Sequence, residues 1–494
     1  MGARHDVREV TPATPDQRTD VVPVPPARRS PVRIVLALAL LGATFATLVR
    51  IASFPLGNAD TFFHLRFGHE FLTGAWSLRD PGSVTTFATA DWLPTQWLPQ
   101  VVMAQFEEWF GLPGVAWLAG LQFLTLALTL WWACRRQAEP VVAALLVVLA
   151  LVACTSGMSM RPQQISYILV VVTTAAWISA RTSGRAPWLL VPITWVWVMC
   201  HGMWPVGLVI GGVAVVGLAL DRRHPTGTLL RMAAVPVASF GAALVTPVGP
   251  GILGAVLSVS SRSSDYYYEW GPPDFTRFYS IALLILLALT LLPRMRRGRV
   301  EWFWIALIAL AAAWAVYSLR TVPVSACLAA PLAAAPLQPS LGTRSRVTRT
   351  ERLTVVGGYV AALAVLAVVV PHTATKPVDH PDWMDEVLPT LPTGTTVLED
   401  SATGGYLMWR FPQLNVVVHG YGDAYTDDEL ADVNTIENVD VGWVELLQDT
   451  GAEYAVVNPD SPLGYALIHT EHWTVEQDDP DLVMLHAPAG WLDQ

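Results

Sequence analysis

The sequence predicts a mainly α, polytopic membrane protein: a bundle of about eleven transmembrane helices followed by a small extracytoplasmic α/β domain. Three observations predict it. Of 494 residues, 53% are hydrophobic and only 14% charged, where soluble domains carry about 25% charged. Apolar runs of about 17–22 residues recur, each long enough to cross ~30 Å of hydrocarbon. The formal charge of −10 hides two opposite regions. Residues 372–494 hold 23 acidic residues against Lys376 and Arg410, a balance of −21, whereas residues 1–371 balance to +11. Such an acidic tail repels phosphate, which argues against nucleic acid as a partner.

Residues 1–32 are polar and rich in Pro and Arg, and read as a disordered cytoplasmic arm rather than a cleaved signal peptide. The membrane part covers 33–371. Spans are expected near 34–54, 113–133, 140–157, 163–180, 187–203, 204–220, 230–248, 278–293, 301–318, 321–338 and 353–371. The fifth and sixth meet around Gly202 and Pro205, as a tight hairpin or as one broken helix. Basic residues set the orientation. Arg28, Arg29 and Arg33 precede span one; Arg135 and Arg136 follow span two; Arg181 and Arg185 follow span four. Arg222 and Arg223 follow span six, and Arg294, Arg296, Arg297 and Arg299 follow span eight. Arg344, Arg346, Arg349 and Arg352 separate spans ten and eleven. With the N-terminus inside, every cluster is cytoplasmic and the acidic tail lies outside.

Two outside loops are long, 55–112 and 249–277. The first carries WLPTQWLPQVVMAQFEEWFG, a pattern of amphipathic helices with tryptophans at headgroup level. Residues 372–494 form the acidic α/β domain. VVVHG (416–420), YAVVN (454–458) and LVMLH (482–486) read as strands; 427–448 and 462–473 read as helices. The four cysteines (Cys134, Cys154, Cys200, Cys327) lie in or beside apolar runs, so the tail is not a disulfide-stapled module, and no zinc spacing exists.

This threading puts the unusual polar residues on one face: Asp60, His64, Arg66, Arg161, Gln163, His201, Asp265, Glu269, Asp274 and Arg320. In NADTFFHLRFG, Asp60 and His64 share a helix face at i, i+4. A carboxylate at that edge serves as general base or metal ligand; equally, Asp60 caps a helix and His64 is an interface residue. Arg161, in MRPQQ beside Gln163, offers a fork of donors for phosphate or snorkels to the interface. His201 is a ligand-facing or a packed imidazole. Glu269 and Trp270, in YYYEWGPPDF, suit a sugar face or an ordinary aromatic belt. Arg320 pairs an outside anion or a structural acid. In the tail, Gly404-Gly405 reads as a packing turn more than as an anion site.

On these residues the chain resembles the GT-C-fold glycosyltransferases. DTFFHLR is similar to the Asp-x-Tyr-Tyr-His-x-Arg stretch of archaeal-type oligosaccharyltransferase catalytic subunits, with Phe62 and Phe63 in place of tyrosines. Further landmarks are the 80–100 segment, RPQQISY (161–167), HG (201–202), TPVG (246–249), EWGPPDF (269–275), RTVP (320–323) and GGYLMWRFPQLNVVVHG (404–420). The wider order also resembles a group of bacterial multi-pass relatives. The resemblance implies a GT-C-like bundle, a polyprenyl-phosphate-linked sugar donor bound outside, and a glycan, lipid or protein acceptor. It makes Asp60 the catalytic or metal-binding acid, with a divalent cation (Mg2+ or Mn2+) as the cofactor it leaves open. Glu269 becomes a second catalytic acid, and His64, Arg66, Arg161, Gln163, His201, Trp270 and Arg320 candidates for holding substrate. Two departures stand out. Asp60 follows Ala59 where relatives often pair acids, and the tail lacks a Trp-Trp-Asp acceptor motif.

The leading expectation is therefore a transferase of the bacterial plasma membrane. Its rival is a non-catalytic multi-pass protein that binds polyprenyl lipid or glycan and displays the acidic domain as a scaffold. An ion-coupled transporter fits less well, because the middles of nearly all spans are apolar.

Overall fold

A computed structural model of the chain describes residue 2 and residues 31–493, apart from 258–267, 297, 299, 342–346 and 378–380. Most of the expected arm lies outside these residues, as do Arg28, Arg29, Asp265, Arg297, Arg299, Arg344 and Arg346.

The apolar runs fold as helices in the expected order. They are α1 (Pro31–Ala52), then α4 (Leu112–Arg135), α5 (Pro140–Cys154), α6 (Gln163–Ser183), α7 (Leu190–Cys200), α8 (Pro205–Leu220) and α9 (Thr226–Leu244). After these come α10 (Phe278–Met295), α11 (Trp302–Tyr317), α12 (Val322–Leu341) and α13 (Arg349–Thr373). Among the described residues eight helices are long and apolar enough to cross a membrane, and α7, α8 and α11 are shorter apolar helices. The protein is a multi-pass membrane bundle. Small residues let its helices close up: a Cβ on Gly120 of α4 would run into Leu366 of α13 and crowd Ala52 of α1. Helix α12 lies deepest, with Ala326 to Ala330 and Leu332 to Ala334 fully buried.

The ambiguity over spans five and six resolves as a hairpin with splayed arms. Arg181, at the end of α6, and Arg223, just beyond α8, both pair with Glu301. The chain therefore returns to the same end of the bundle after turning at His201–Trp204.

The first loop supplies two helices across one end of the bundle, α2 (Ala59–Leu72) and α3 (Trp97–Phe110). Asn58, not Asp60, caps α2: its side-chain oxygen accepts the Asp60 amide at 3.1 Å. Between them, residues 80–96 clasp the C-terminal region. The Thr86 amide donates to Asn415 at 3.0 Å, and the Ala90 amide to the Ala424 carbonyl at 3.1 Å.

That region holds a five-stranded sheet in the order β2-β1-β3-β5-β4. Its strands are β1 (Thr396–Glu399), β2 (Asn415–Val416), β3 (Tyr454–Val457), β4 (Thr474–Gln477) and β5 (Val483–His486). The first three are parallel, and β5 and β4 add antiparallel. Five helices surround it: α14 (Asp382–Val387), α15 (Ser401–Arg410), α16 (Asp427–Asn438), α17 (Trp443–Thr450) and α18 (Pro462–His469). Three local expectations need correction. The helix expected over 427–448 is two, because Val439 (φ 58°) and Gly442 (φ 90°) turn left-handed and stop the ladder. The strand expected over 416–420 is cut short after Val416, where the chain bends over α15. The helix expected to Trp473 ends at His469, freeing 474–477 to form β4.

Candidate functional site

Four charged side chains from four separate loops meet at the end of the bundle that carries α2. Asp60 stands in the first turn of α2. Arg161 sits in the turn between α5 and α6, and Thr61 Oγ1 ties that turn to α2 by donating to the Met160 carbonyl at 2.9 Å. Glu269 lies in a 3-10 turn (Tyr268–Trp270), Arg320 in another (Leu319–Thr321). The second is fixed by a capping box in which Ser318 and Thr321 serve each other's backbone. The Leu319 amide donates to the Gly271 carbonyl at 2.9 Å and staples the two turns together.

Arg161 is the hub. Its Nε stands 3.0 Å from the Asp60 carboxylate and donates to Asn58 Oδ1 at 3.1 Å. Its Nη1 reaches both Glu269 oxygens at 3.1 and 3.2 Å. Arg320 Nη1 reaches Glu269 Oε1 at 3.1 Å, with its guanidinium 5.1 Å from the centre of the Trp270 ring. Two acids and two arginines cancel formally. The cluster is recessed but open: the side chains of Asp60 and Glu269 keep 31% and 32% of their surface accessible. Beside it, Asn58, Thr61, Phe123 and Met160 line a cavity of about 230 Å³ whose rim includes the exposed Phe54.

The two acids diverge. Burial pushes the Asp60 carboxyl up from its ordinary value, aided by the charge of Glu269, and Arg161 and Arg320 only partly offset this. For Glu269 burial acts the same way but Arg320 and Arg161 overcome it, so its carboxyl is held below the ordinary value. Environments that drive two carboxyls apart suit one to proton transfer and the other to staying ionised.

Of the other expected residues, His64 lies one turn from Asp60, 2% exposed, with Gln100 Nε2 2.9 Å from its Nδ1. Burial, helped by Arg161, His201 and Arg320, holds it neutral. His201 is buried beneath the site with its Nδ1 3.1 Å from Ser166 Oγ. Gln163 faces away and donates to the Gly157 carbonyl at 3.1 Å, which holds the Arg161 turn. Arg66 is not part of the cluster. Six residues along α2 turn it to another face, where it pairs with Glu70 at 2.7 Å.

Sequence reasoning missed Asn58, which joins Asp60 and Arg161; its signal was an Asn two residues before the acid, at a helix start. Among the described residues no three of His, Cys, Asp and Glu are arranged to hold a metal. The two acids that face each other are bridged by Arg161, which supplies the positive charge a divalent cation would bring. This donor set does not fit a resident cation.

No protein-family description matches the chain, and no curated protein matches it in sequence. Among solved structures it superposes on the oligosaccharyltransferase AglB of Archaeoglobus fulgidus, in complex with an inhibitory peptide and a dolichol-phosphate. That match has TM-score 0.51 and 11% identity, over 86% of this chain and 69% of the other. It also superposes on ArnT of Cupriavidus metallidurans in its apo state, with TM-score 0.51 and 16% identity, over 93% of this chain and 98% of the other. Both are GT-C glycosyltransferases. The chain has the GT-C fold. Within a GT-C bundle, α2 is the first-loop helix, and its leading acid is Asp60.

Proposed function

We propose that the protein is a membrane glycosyltransferase. It moves a sugar from a polyprenyl-phosphate-linked donor to a glycan, lipid or protein acceptor of the bacterial envelope. The orientation proposed with it places the N-terminus in the cytoplasm, and the cluster and residues 372–494 outside the plasma membrane. The observation that carries this reading is the Asp60–Arg161–Glu269–Arg320 cluster, recessed at the edge of a bundle with the GT-C fold. An inert anchor gains nothing from gathering four ionisable groups, partly desolvated, at the end of an apolar bundle. The dolichol-phosphate in the archaeal neighbour supports a lipid phosphate as donor.

In the proposed reaction the acceptor hydroxyl attacks the anomeric carbon from the face opposite the leaving group. The bond from that carbon to the phosphate oxygen breaks, with inversion, and the polyprenyl phosphate departs with the electron pair. Asp60, whose raised carboxyl makes it the stronger base of the two acids, takes the acceptor proton. Arg161 and Arg320 turn donors onto the developing phosphate charge, and Glu269 holds both guanidiniums in place until then.

The test compares envelope glycans and lipid-linked saccharides in wild type, a gene deletion, and the deletion complemented with Asp60→Asn. The expected result is loss of a glycan with accumulation of a lipid-linked donor in both mutants, while the variant reaches the membrane at normal abundance. If Asp60→Asn restores the wild-type profile, the scaffold reading replaces catalysis.

A further inference from the structure

The tail's Gly404-Gly405 pair lies where two backbones leave no room for a side chain. A Cβ on Gly404 would strike the Val418 carbonyl, and one on Gly405 would stand 2.8 Å from the Ala59 carbonyl. Helix α15 is thus wedged between the 418–420 bend and the first residue of α2, next to Asp60. The bend is itself pinned: Glu399 Oε1 accepts the Val418 amide at 2.6 Å, and the His419 amide donates to Tyr425 at 3.1 Å.

Aromatic rings complete the contact. Phe62 packs against Tyr406 and Trp409, with ring centres 5.2 and 5.3 Å away. Phe63 meets Tyr421 at 5.2 Å, and Phe67 meets both Tyr421 and His419, at 5.2 and 5.6 Å. Phe62 and Phe63 are the two aromatics of DTFFH, and both are buried. They face the tail, while Asp60 faces the arginines. One helix turn therefore carries the reacting acid on one side and a docking key on the other.

We infer that the C-terminal region is a positioning element for Asp60, acting through Gly405, Tyr406 and Tyr421 on Ala59, Phe62 and Phe63. Gly405 sets how close α15 approaches, and the ring contacts set the rotation of α2 about its axis. Asp60 then meets Arg161 only while the tail is docked. This rests on the glycosyltransferase reading for its consequence, but not for its geometry.

The experiment uses the full chain in detergent and the complemented deletion strain. Variants Gly405→Ala, Phe62→Leu and Phe62→Tyr are compared with Gly212→Ala, a site where an added Cβ meets nothing within 4 Å. Amide exchange over residues 58–66 is expected to rise about tenfold in Gly405→Ala and Phe62→Leu, with α4–α6 still protected. Both should lose the glycan, and Phe62→Tyr, which keeps the ring, should restore both readouts. Unchanged exchange over 58–66 overturns the inference, and so does a local rise with a wild-type glycan profile. Should Gly405→Ala not accumulate, the Phe62 pair decides by the same readouts. If Asp60→Asn also proves silent on glycans, the enzyme reading fails while the exchange result still reports on docking.

Discussion

The two ends of the bundle use the same residue types to opposite effect. At the end bearing the basic clusters, acids and arginines are matched locally. Arg33 meets Glu139 at 3.2 Å, Arg135 meets Glu351 at 2.5 Å, and Arg181 and Arg223 share Glu301. Arg294 is buried, donates to the Thr290 and Leu332 carbonyls and lies 4.4 Å from the Trp304 ring. These contacts tie helix ends to one another. At the other end two acids and two arginines, each from a different loop, share one open cleft. The first arrangement fixes a bundle. The second leaves charge where a ligand can reach it.

The largest expected effect separates the two ends. Arg135 and Glu351 are 2% and 3% exposed, so Arg135→Leu strands a buried carboxylate and should cost about 3–5 kcal/mol. Membrane abundance and the melting temperature of the purified protein check this, and Arg135→Leu with Glu351→Leu should recover much of the loss. Arg161→Leu removes an equally connected arginine from a cleft where water can solvate what remains. It should leave abundance near wild type and abolish function. If Arg161→Leu disappears from the membrane as Arg135→Leu does, the contrast between the ends is broken.

A third kind of acid sits in the tail. Glu399 is fully buried, and its carboxyl is raised well above the ordinary value, first by burial and then by Asp400 and Glu437, against the Val418 amide bond. The folded state therefore holds this proton where the unfolded chain has released it. Stability is fully present below the unfolded value near 4.5 and falls as pH rises above it, by at most about 1.4 kcal/mol per unit. Glu399→Gln should flatten that decline as pH rises above the ordinary carboxylate range, seen as a smaller drop in melting temperature. An unchanged slope would mean that Glu399 is ionised in the folded protein.

How legible all this was differs by level. Order and number of the apolar helices followed from run length, because a span needs only enough apolar residues and no partner to be recognised. In the tail the run at 416–420 pointed to β2 but not to its end at Val416, and β4 was obscured because an exposed strand reading TVEQ carries no alternation strong enough to see. Asp60, Arg161, Glu269 and Arg320 were each expected on one face, yet nothing in the sequence states that Arg161 touches both acids. That depends on three loop conformations at once. Asn58 and the Gly405–Ala59 contact escaped for the same reason, since close backbone approach is a property of two segments far apart in sequence.

Smaller effects test the cleft itself. Asp60 is raised by burial and by Glu269, against Arg161 and Arg320, and as the proposed base it is competent only when ionised. Activity should therefore fall on the acid side at a pH above the ordinary carboxylate range. Glu269→Gln removes the like charge and should move that acid limb of kcat/KM to lower pH, whatever happens to its height. A limb that moves up, or stays, assigns it to another group.

The smallest expected effect concerns Trp270, and it distinguishes a positioning ring from a sugar platform. The ring faces the Arg320 guanidinium at 5.1 Å, a contact worth about 0.5–1 kcal/mol where water is near. If that is its whole role, Trp270→Phe keeps most of the attraction, and Trp270→Leu lowers kcat/KM by about two- to fivefold. Both should act alike on every donor, because the loss comes from a looser Arg320 and the phosphate is common to all. If the ring instead stacks on the transferred sugar, Trp270→Leu will discriminate between donors that share a phosphate and differ in the sugar face they present. Measuring both variants against two such donors decides it. A uniform small loss keeps Trp270 with Arg320 in the charge cluster, and a selective one makes it the part of the cleft that reads the sugar.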